Sequence, residues 1–133
     1  MRLTPAFALL FLAFAAPAGG QSLRDMRAQD ADERALAREA AYTSEVCGRR
    51  IDAAIDWSSL RKWPARESLV DACDGALGAV ETICRAGRKN AVHDFVCAGD
   101  GSGASLSGKT LRYGATPGVN GYAATLATIG GAE

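Results

Sequence analysis

The clearest chemistry in this chain of 133 residues belongs to four cysteines: Cys47, Cys73, Cys84 and Cys97. Their spacing contains no C-x-x-C pair, so it favours neither a thioredoxin-type redox site nor a four-thiolate zinc site. An even number of cysteines in a small chain is instead typical of disulfides formed in an oxidising compartment. We therefore predict that all four are joined in disulfides.

The pairing of these cysteines is limited by a predicted helix that carries two of them. Cys73 and Cys84 lie eleven residues apart on its apolar face. That separation is about 16 Å along the axis, whereas a disulfide needs Cα atoms within roughly 7 Å. Each must therefore reach a different neighbour. We favour Cys47–Cys73 with Cys84–Cys97, because these pairs join neighbours in sequence, and we keep Cys47–Cys84 with Cys73–Cys97 as the second pairing.

The stretch Gly103–Thr110 resembles the phosphate-binding loop G-x-x-x-x-G-K-[ST] of many ATPases and GTPases. That chemistry needs a helix that begins at the lysine, so that its amides and dipole meet the phosphates. Here Lys109–Gly114 has the pattern of a strand, and no Asp follows to help hold magnesium, since Glu133 is the only later acidic residue. We therefore predict no nucleotide as a ligand.

The remaining residues that could act in catalysis or hold a metal are isolated in sequence. His93, the only histidine, is four residues from Cys97 in a predicted strand. That is about 13 Å, too far for a thiol–imidazole pair. Gly99–Gly103 lacks the acidic ligands of an EF-hand and has the composition of a turn. Four carboxylates have no catalytic partner near them in sequence: Asp52, Asp56, Asp71 and Asp74. We predict no catalytic residue, no metal site and no cofactor.

A basic and aromatic segment before the predicted helix is the best candidate for a binding surface. Trp63 follows Arg61 and Lys62, and exposed Trp and Arg side chains are common at the energetic centres of interfaces. The competing interpretation is packing, with Trp57 in the core and Trp63 over the start of the helix. We favour packing for both residues, more strongly for Trp57 than for Trp63, and the binding candidates are therefore Trp63, Arg61 and Lys62.

Two predicted helices must position these residues. Between Glu67 and Gly87, apolar residues recur at three- and four-residue steps, which lines one face of a helix. These residues are Leu69, Val70, Cys73, Leu77, Val80, Ile83 and Cys84. The segment Leu23–Cys47 is rich in good helix formers, with Ser22 as a cap before it and Gly48 as a stop after it.

Shorter segments predict strands. Residues 49–57 alternate as a strand does, and we favour a strand over the alternative of a helix. Residues 91–97 and 104–115 are predicted strands joined by a glycine-rich turn, and Gly108 marks a bulge or a second tight turn. Residues 122–129 form a final helix or a third strand, and their apolar spacing favours the helix.

This order of elements predicts the α+β fold class. We expect a small two-layer domain, with two to three helices packed on a short antiparallel sheet and stapled by two disulfides. In chain-entropy terms each disulfide contributes about 3 kcal/mol, which is a large part of the usual stability of a small domain.

Residues 1–18 have the composition of a secretory signal peptide. Arg2 gives the positive start, Ala6–Ala15 is apolar but short for a bilayer span, and Ala16–Ala18 fits cleavage after small residues. The alternative is an uncleaved anchor. We predict one disulfide-stabilised domain over residues 19–133, whose polar start at 19–35 is the part expected to fray. We expect no transmembrane segment after cleavage and a periplasmic or extracellular location.

Charge narrows the choice of partner. The chain has 15 Lys and Arg against 15 Asp and Glu, and loss of Arg2 leaves the domain slightly acidic, so nucleic acid is not favoured. The sequence therefore predicts an exported, non-enzymatic domain that binds a protein or a cell-envelope component. The alternative is a small envelope-directed hydrolase with His93 or Asp100 as its base.

Overall fold

The computed structural model describes residues 22–130, which form three α-helices and one four-stranded sheet. In chain order these are α1 (Leu23–Cys47), β1 (Asp52–Ile55), a 3₁₀ turn (Trp57–Leu60), α2 (Leu69–Arg85), β2 (Asp94–Ala98), β3 (Gly103–Ser107), β4 (Thr110–Gly114) and α3 (Tyr122–Gly130). The predicted α+β class is confirmed. The predicted signal peptide lies outside the described residues.

The sheet is mixed, which corrects the predicted antiparallel arrangement. The strand order is β1-β2-β4-β3, in which β1, β2 and β4 are parallel and β3 is antiparallel to β4. Because α2 carries the chain back from β1 to the start of β2, these two strands run in the same direction. Gly108, with a φ of 59°, makes a tight turn that divides the predicted strand 104–115 into a hairpin. The returning arm, β4, pairs with β2.

Alternate strand residues divide the sheet into a face covered by helices and an open face. Phe95, Cys97, Leu111 and Tyr113 are buried under the helices. Residues between them in sequence lie on the other face, and Arg112 there is only half-buried. The side chains of the candidate site come from this open face and from one edge of the sheet.

The central element is α2, as its apolar spacing predicts. Ser68 caps its first turn, since Ser68 Oγ accepts a hydrogen bond from the Asp71 amide at 3.2 Å. Its inner face, including Leu77 and Val80, is fully buried and packs against α1, α3 and the sheet. Burying a side chain such as Leu77 contributes roughly 1.5–3 kcal/mol, so this face supplies much of the stability of the core.

The limits of α1 also lie where the sequence predicts them. Ser22 Oγ accepts from the Asp25 amide at 3.1 Å, and Gly48 adopts the left-handed conformation that ends the helix.

Two segments whose sequences allowed either a helix or a strand adopt the structure that we favoured. Residues 52–55 form a strand, and α3 is a helix.

Each disulfide joins α2 to a different element. Cys47–Cys84 links it to α1 with a Cα–Cα distance of 5.0 Å, and Cys73–Cys97 links it to β2 with 5.9 Å. The helix is therefore stapled twice, as predicted. The favoured pairing of Cys47 with Cys73 and of Cys84 with Cys97 is wrong, and the second pairing is confirmed.

The parallel arrangement of α1 and α2 explains this pairing. A bond between Cys47 and Cys73 would need the end of α1 to approach the start of α2. Instead β1 lies between them in sequence and returns the chain, so the C-terminal ends of both helices meet. One turn before Cys47 and Cys84, Thr43 Oγ1 donates to Glu81 Oε2 at 2.9 Å in the same register. Disulfides in this fold thus join packed faces rather than sequence neighbours.

Candidate functional site

Three loops leave the sheet at one edge because β1, β2 and β4 run parallel. They begin at Asp56, Gly99 and Ala115. Hydrogen bonds extend the strand ladders into two of them, since the Asp56 amide donates to Cys97 O at 2.9 Å and the Ala115 amide to Ala98 O at 2.8 Å. In open sheets, ligands bind outside the carboxyl ends of parallel strands. We call this end of the sheet, where β1, β2 and β4 finish, the carboxyl edge. It is the candidate site.

A groove of about 580 Å³ lies at the carboxyl edge. Arg61, Lys62 and Trp63 contribute one wall, and residues 99–101 and 115–117 contribute the other. The three residues selected from sequence as binding candidates therefore line a single groove. Its volume falls within the range of about 300–1,000 Å³ that is usual for ligand sites.

Trp63 is held in place by local contacts and by a close approach to Gly99. Its Nε1 donates to Glu67 O at 2.9 Å, and its amide donates to Leu60 O at 3.1 Å. A Cβ atom on Gly99 would lie 3.1 Å from Trp63 Cε3 and would collide with Leu60 Cδ2. The half-buried indole packs over the approach to α2, as predicted, and also presents a surface to the groove.

The positive charges on the groove are accessible. Arg61 and Lys62 are both exposed. Within residues 22–130 neither side chain belongs to an ion pair. Asp100 also borders the groove, but its charge is engaged elsewhere, as described next. A bound partner would therefore meet two uncompensated cations beside an aromatic ring.

Arg112 joins two carboxylates at the carboxyl edge. Its Nη2 donates to Asp100 Oδ2 at 2.7 Å and to Asp56 Oδ2 at 3.3 Å, and its Nη1 donates to Ser102 Oγ at 2.8 Å. Asp100 Oδ1 accepts from the hydroxyl and the amide of Ser102 at 2.7 and 3.1 Å. A Cβ atom on Gly114 would lie 2.7 Å from that amide nitrogen, so glycine is required there. The carboxylate clasp consists of Asp56, Asp100, Ser102 and Arg112.

The clasp keeps both of its carboxylates ionised. Hydrogen bonds from Arg112 and then from Ser102 hold the pKa of Asp100 well below its ordinary value of 3.8. The Ser58 hydroxyl, 2.6 Å from Asp56 Oδ1, is the main cause of the lowered pKa of Asp56, and Arg112 adds to it. Carboxylates of this kind have no proton to give at neutral pH and are weak bases. The clasp is therefore suited to fixing loops in position.

Two other residues considered from sequence lie away from the groove. His93 precedes β2 at its amino end, where its Nε2 is 2.6 Å from Arg49 Nη1. Asp100 follows the carboxyl end of the same strand, so His93 and Asp100 do not share a site. Trp57 donates to Glu33 Oε1 at 2.9 Å, is half-buried and lies outside the core cluster, so its predicted place in the core is wrong.

The stretch Gly103–Thr110 forms β3 and the turn into β4. No helix begins at Lys109, where the chain continues directly into a strand, so this segment lacks the geometry of a phosphate-binding loop. The other carboxylates noted from sequence are exposed to solvent: Asp52, Asp71 and Asp74.

The partnership of Arg112 with Asp56 and Asp100 is not apparent from the sequence alone. The available signal was that Asp56 directly follows one strand and that Asp100 lies two residues after another. That signal becomes informative only when the two strands are known to be parallel, because only then do their ends share an edge.

The described residues show neither a membrane-spanning helix nor a cluster of metal ligands. None of their helices is both long and apolar enough to cross a membrane. Residues 22–130 also bring together no group of three or more His, Cys, Asp or Glu side chains that could hold a metal ion, and all four cysteines are oxidised. Comparison of the chain with protein-family models, with curated proteins and with solved structures found no match.

Proposed function

We propose that the protein is an exported, non-enzymatic binding domain whose carboxyl-edge groove holds a segment of a protein partner. The observation that carries this proposal is the position of Trp63 beside two exposed cations, Arg61 and Lys62, on one wall of the groove. Tryptophan and arginine are the residue types most enriched at interface hot spots. The complementary partner segment presents Asp or Glu next to an apolar side chain.

Export of the domain is supported by its covalent structure. Two disulfides join α2 to α1 and to β2, and disulfides persist in the periplasm and outside the cell but rarely in the cytosol. The composition of residues 1–18 supports the same location.

Two observations favour binding over the hydrolase alternative. The candidate bases His93 and Asp100 lie at opposite ends of β2. Asp100, which lines the groove, and Asp56, which shares Arg112 with it, both have lowered pKa values. The groove therefore offers surface, charge and an aromatic ring rather than a proton donor and acceptor.

Site-specific photocrosslinking in cells that export the protein tests the proposal. A photoreactive phenylalanine analogue replaces Lys62 on the groove, and a matched variant carries it at Ser105, which is exposed on the open face of β3. We expect a discrete protein adduct from position 62 and none from position 105. Equal adducts from both positions, or no adduct from position 62, contradict the proposal.

A charge reversal links the adduct to the chemistry of the groove. With the crosslinker at position 62, Arg61→Glu should reduce the adduct roughly tenfold or more, because like charges then face each other across the interface. The matched control is Arg50→Glu, an exposed arginine outside the groove, and it should leave the adduct unchanged. Mass spectrometry of the adduct identifies the partner segment, and a crosslinked glycan instead of a peptide would contradict a protein partner.

A further inference from the structure

A second cavity, of about 730 Å³, lies at the opposite end of the sheet from the groove. Its floor is apolar. Each of four parts of the fold contributes one side chain to it: Ile83 from α2, Ile129 from α3, Leu106 from β3, and Val92 from the segment just before β2. Its rim is polar and cationic and contains Arg49, Arg88, Lys89 and Asn90. No Asp or Glu lines this cavity among the described residues. Its composition is therefore amphipathic, with one sign of charge.

Arg49 is held on this rim by hydrogen bonds, and no counter-ion for it is present within residues 22–130. Its Nη2 donates to the carbonyls of Asn90, at 2.5 Å, and Val92, and its Nη1 donates to His93 Nε2 at 2.6 Å. None of these three partners is a carboxylate, and no described carboxylate pairs with Arg49. A guanidinium has five N–H donors, so donors remain for a ligand. Because the group is already held in place, little conformational freedom is lost when an anion binds it.

The rest of the rim adds positive charge beside the apolar floor. Lys89 is exposed and makes no ion pair within residues 22–130. Arg88 donates to Gly130 O at 2.8 Å and so connects the rim to the end of α3. A cation entering this cavity would be repelled by Arg49 and Lys89, and a neutral apolar molecule would make no use of these two charges.

We infer that this cavity binds one small organic anion with an apolar body, of the alkyl carboxylate class. The carboxylate lies against Arg49 and Lys89, and the alkyl chain covers Ile83, Leu106 and Ile129. Charge-assisted hydrogen bonds to an arginine supply orientation, and burial of the chain supplies most of the affinity. The inference does not depend on the groove, because the two sites lie at opposite ends of β2.

Calorimetric titration of the purified full chain with monomeric dodecanoate tests the inference. Dodecylammonium has the same chain and the opposite charge, and acetate has the same head and no chain. We expect saturable binding of one dodecanoate per protein and at least roughly tenfold weaker binding of both controls, because each lacks one of the two contributions. Equal binding of dodecanoate and dodecylammonium, or no saturable binding of dodecanoate, overturns the inference.

Three variants locate the site without removing the fixed Arg49 side chain. Ala91→Trp places a large ring at an exposed position of the cavity lining. We expect the affinity for dodecanoate to fall roughly tenfold or more, because the ring takes up contact area that the alkyl chain would otherwise cover. Lys89→Gln should weaken binding by roughly threefold to tenfold. Arg50→Gln is the matched control, because Arg50 is next to Arg49 in sequence but does not line the cavity. It should leave the affinity for dodecanoate unchanged. Unchanged affinity in both Ala91→Trp and Lys89→Gln overturns the assignment of the site.

Flotation with phosphatidylglycerol vesicles distinguishes a free ligand from a membrane lipid. The inference predicts that the protein binds dissolved dodecanoate and does not float with the vesicles. Flotation without binding of dissolved dodecanoate would overturn it.

Discussion

Arg112 Nη2 lies 2.7 Å from Asp100 Oδ2, although one residue belongs to β4 and the other to the loop after β2. The same guanidinium reaches Asp56, the residue that follows β1. Because the loop after β2 forms part of the groove wall, this contact fixes the position of that wall. Arg112, a side chain on the open face of the sheet, thus positions loops at the carboxyl edge.

Replacement of Arg112 by methionine should lower the free energy of unfolding by about 1–2 kcal/mol, because two carboxylates lose a charged donor that is only partly exposed. Urea denaturation at neutral pH measures the change. Arg50→Met is the matched control, since the Arg50–Asp52 pair is mostly exposed, and it should change the free energy by less than about 0.5 kcal/mol. Equal losses in the two variants would show that the clasp is an ordinary surface ion pair.

Acid should weaken the clasp in a defined direction. The pKa values of Asp100 and Asp56 are lowered from 3.8 in the folded protein, so their stabilisation is present above that value and is lost as the pH falls through the folded-state pKa. We expect the stability difference between wild type and Arg112→Met to stay constant from about pH 7 to about pH 5 and to shrink below about pH 4. Urea titrations across this range measure it, and a difference that does not shrink contradicts the role of these two carboxylates.

Glu39 should respond to pH in the opposite sense. Burial, and then a hydrogen bond with Asp74, raise the pKa of Glu39, so its charged form weakens the folded state. Glu39→Gln should therefore increase the free energy of unfolding at neutral pH, and the increase should vanish as the pH falls through the raised pKa. Urea denaturation measures this, with Glu45→Gln as the control at an exposed position of the same helix. A destabilised Glu39→Gln protein at neutral pH would contradict the prediction.

The two disulfides should differ in their rates of reduction. Cys73 and Cys97 are fully buried, whereas Cys47 and Cys84 are half-buried. A reducing thiolate needs access to sulfur, and the buried bond becomes accessible only after a larger opening of the fold. Under mild reduction we expect Cys47–Cys84 to be cleaved about tenfold faster or more, as measured by alkylation and peptide mass over time. In denaturant the two rates should converge, and equal rates in the native protein would contradict the prediction.

Gly99 should tolerate alanine far less than Gly78 does. A Cβ atom on Gly99 would collide with Leu60 and press on Trp63, which should lower the free energy of unfolding by about 1–3 kcal/mol. A Cβ atom on Gly78, inside α2, would meet only Tyr122 at 3.7 Å. Gly78→Ala should therefore be neutral or stabilising by up to about 1 kcal/mol through helix propensity. Thermal unfolding ranks the two variants, and an equal effect would mean that the contact of Gly99 with Trp63 is loose.

The helices were predictable because their signals lie within one continuous segment. The N-cap Ser22, the stop Gly48 and the apolar spacing of α2 all act on neighbouring residues. Arg61, Lys62 and Trp63 were selected as binding candidates in the same way, from the composition of one short segment. The structure places them on one groove, and their role in binding stays a prediction.

The arrangement of the strands could not be read in the same way. Parallel pairing of β1, β2 and β4 depends on which connections cross the sheet, and the hairpin turn at Gly108 decides where β4 lies. Both the approach of Asp56 to Asp100 and the parallel packing that joins Cys47 to Cys84 follow from that arrangement. These contacts span distant parts of the chain, and no local pattern encodes them.

The loops closed by the two disulfides overlap, because Cys73 lies between Cys47 and Cys84 in sequence while its partner, Cys97, lies beyond both. A protease that cuts any single peptide bond between Cys47 and Cys97 therefore leaves one covalent molecule, whichever bond it cuts. Pairing of sequence neighbours would have left α2 as the point where one cut releases two fragments. The interlocked segment contains β1, α2, β2 and the wall that carries Trp63, so a first nick within it leaves these elements covalently joined.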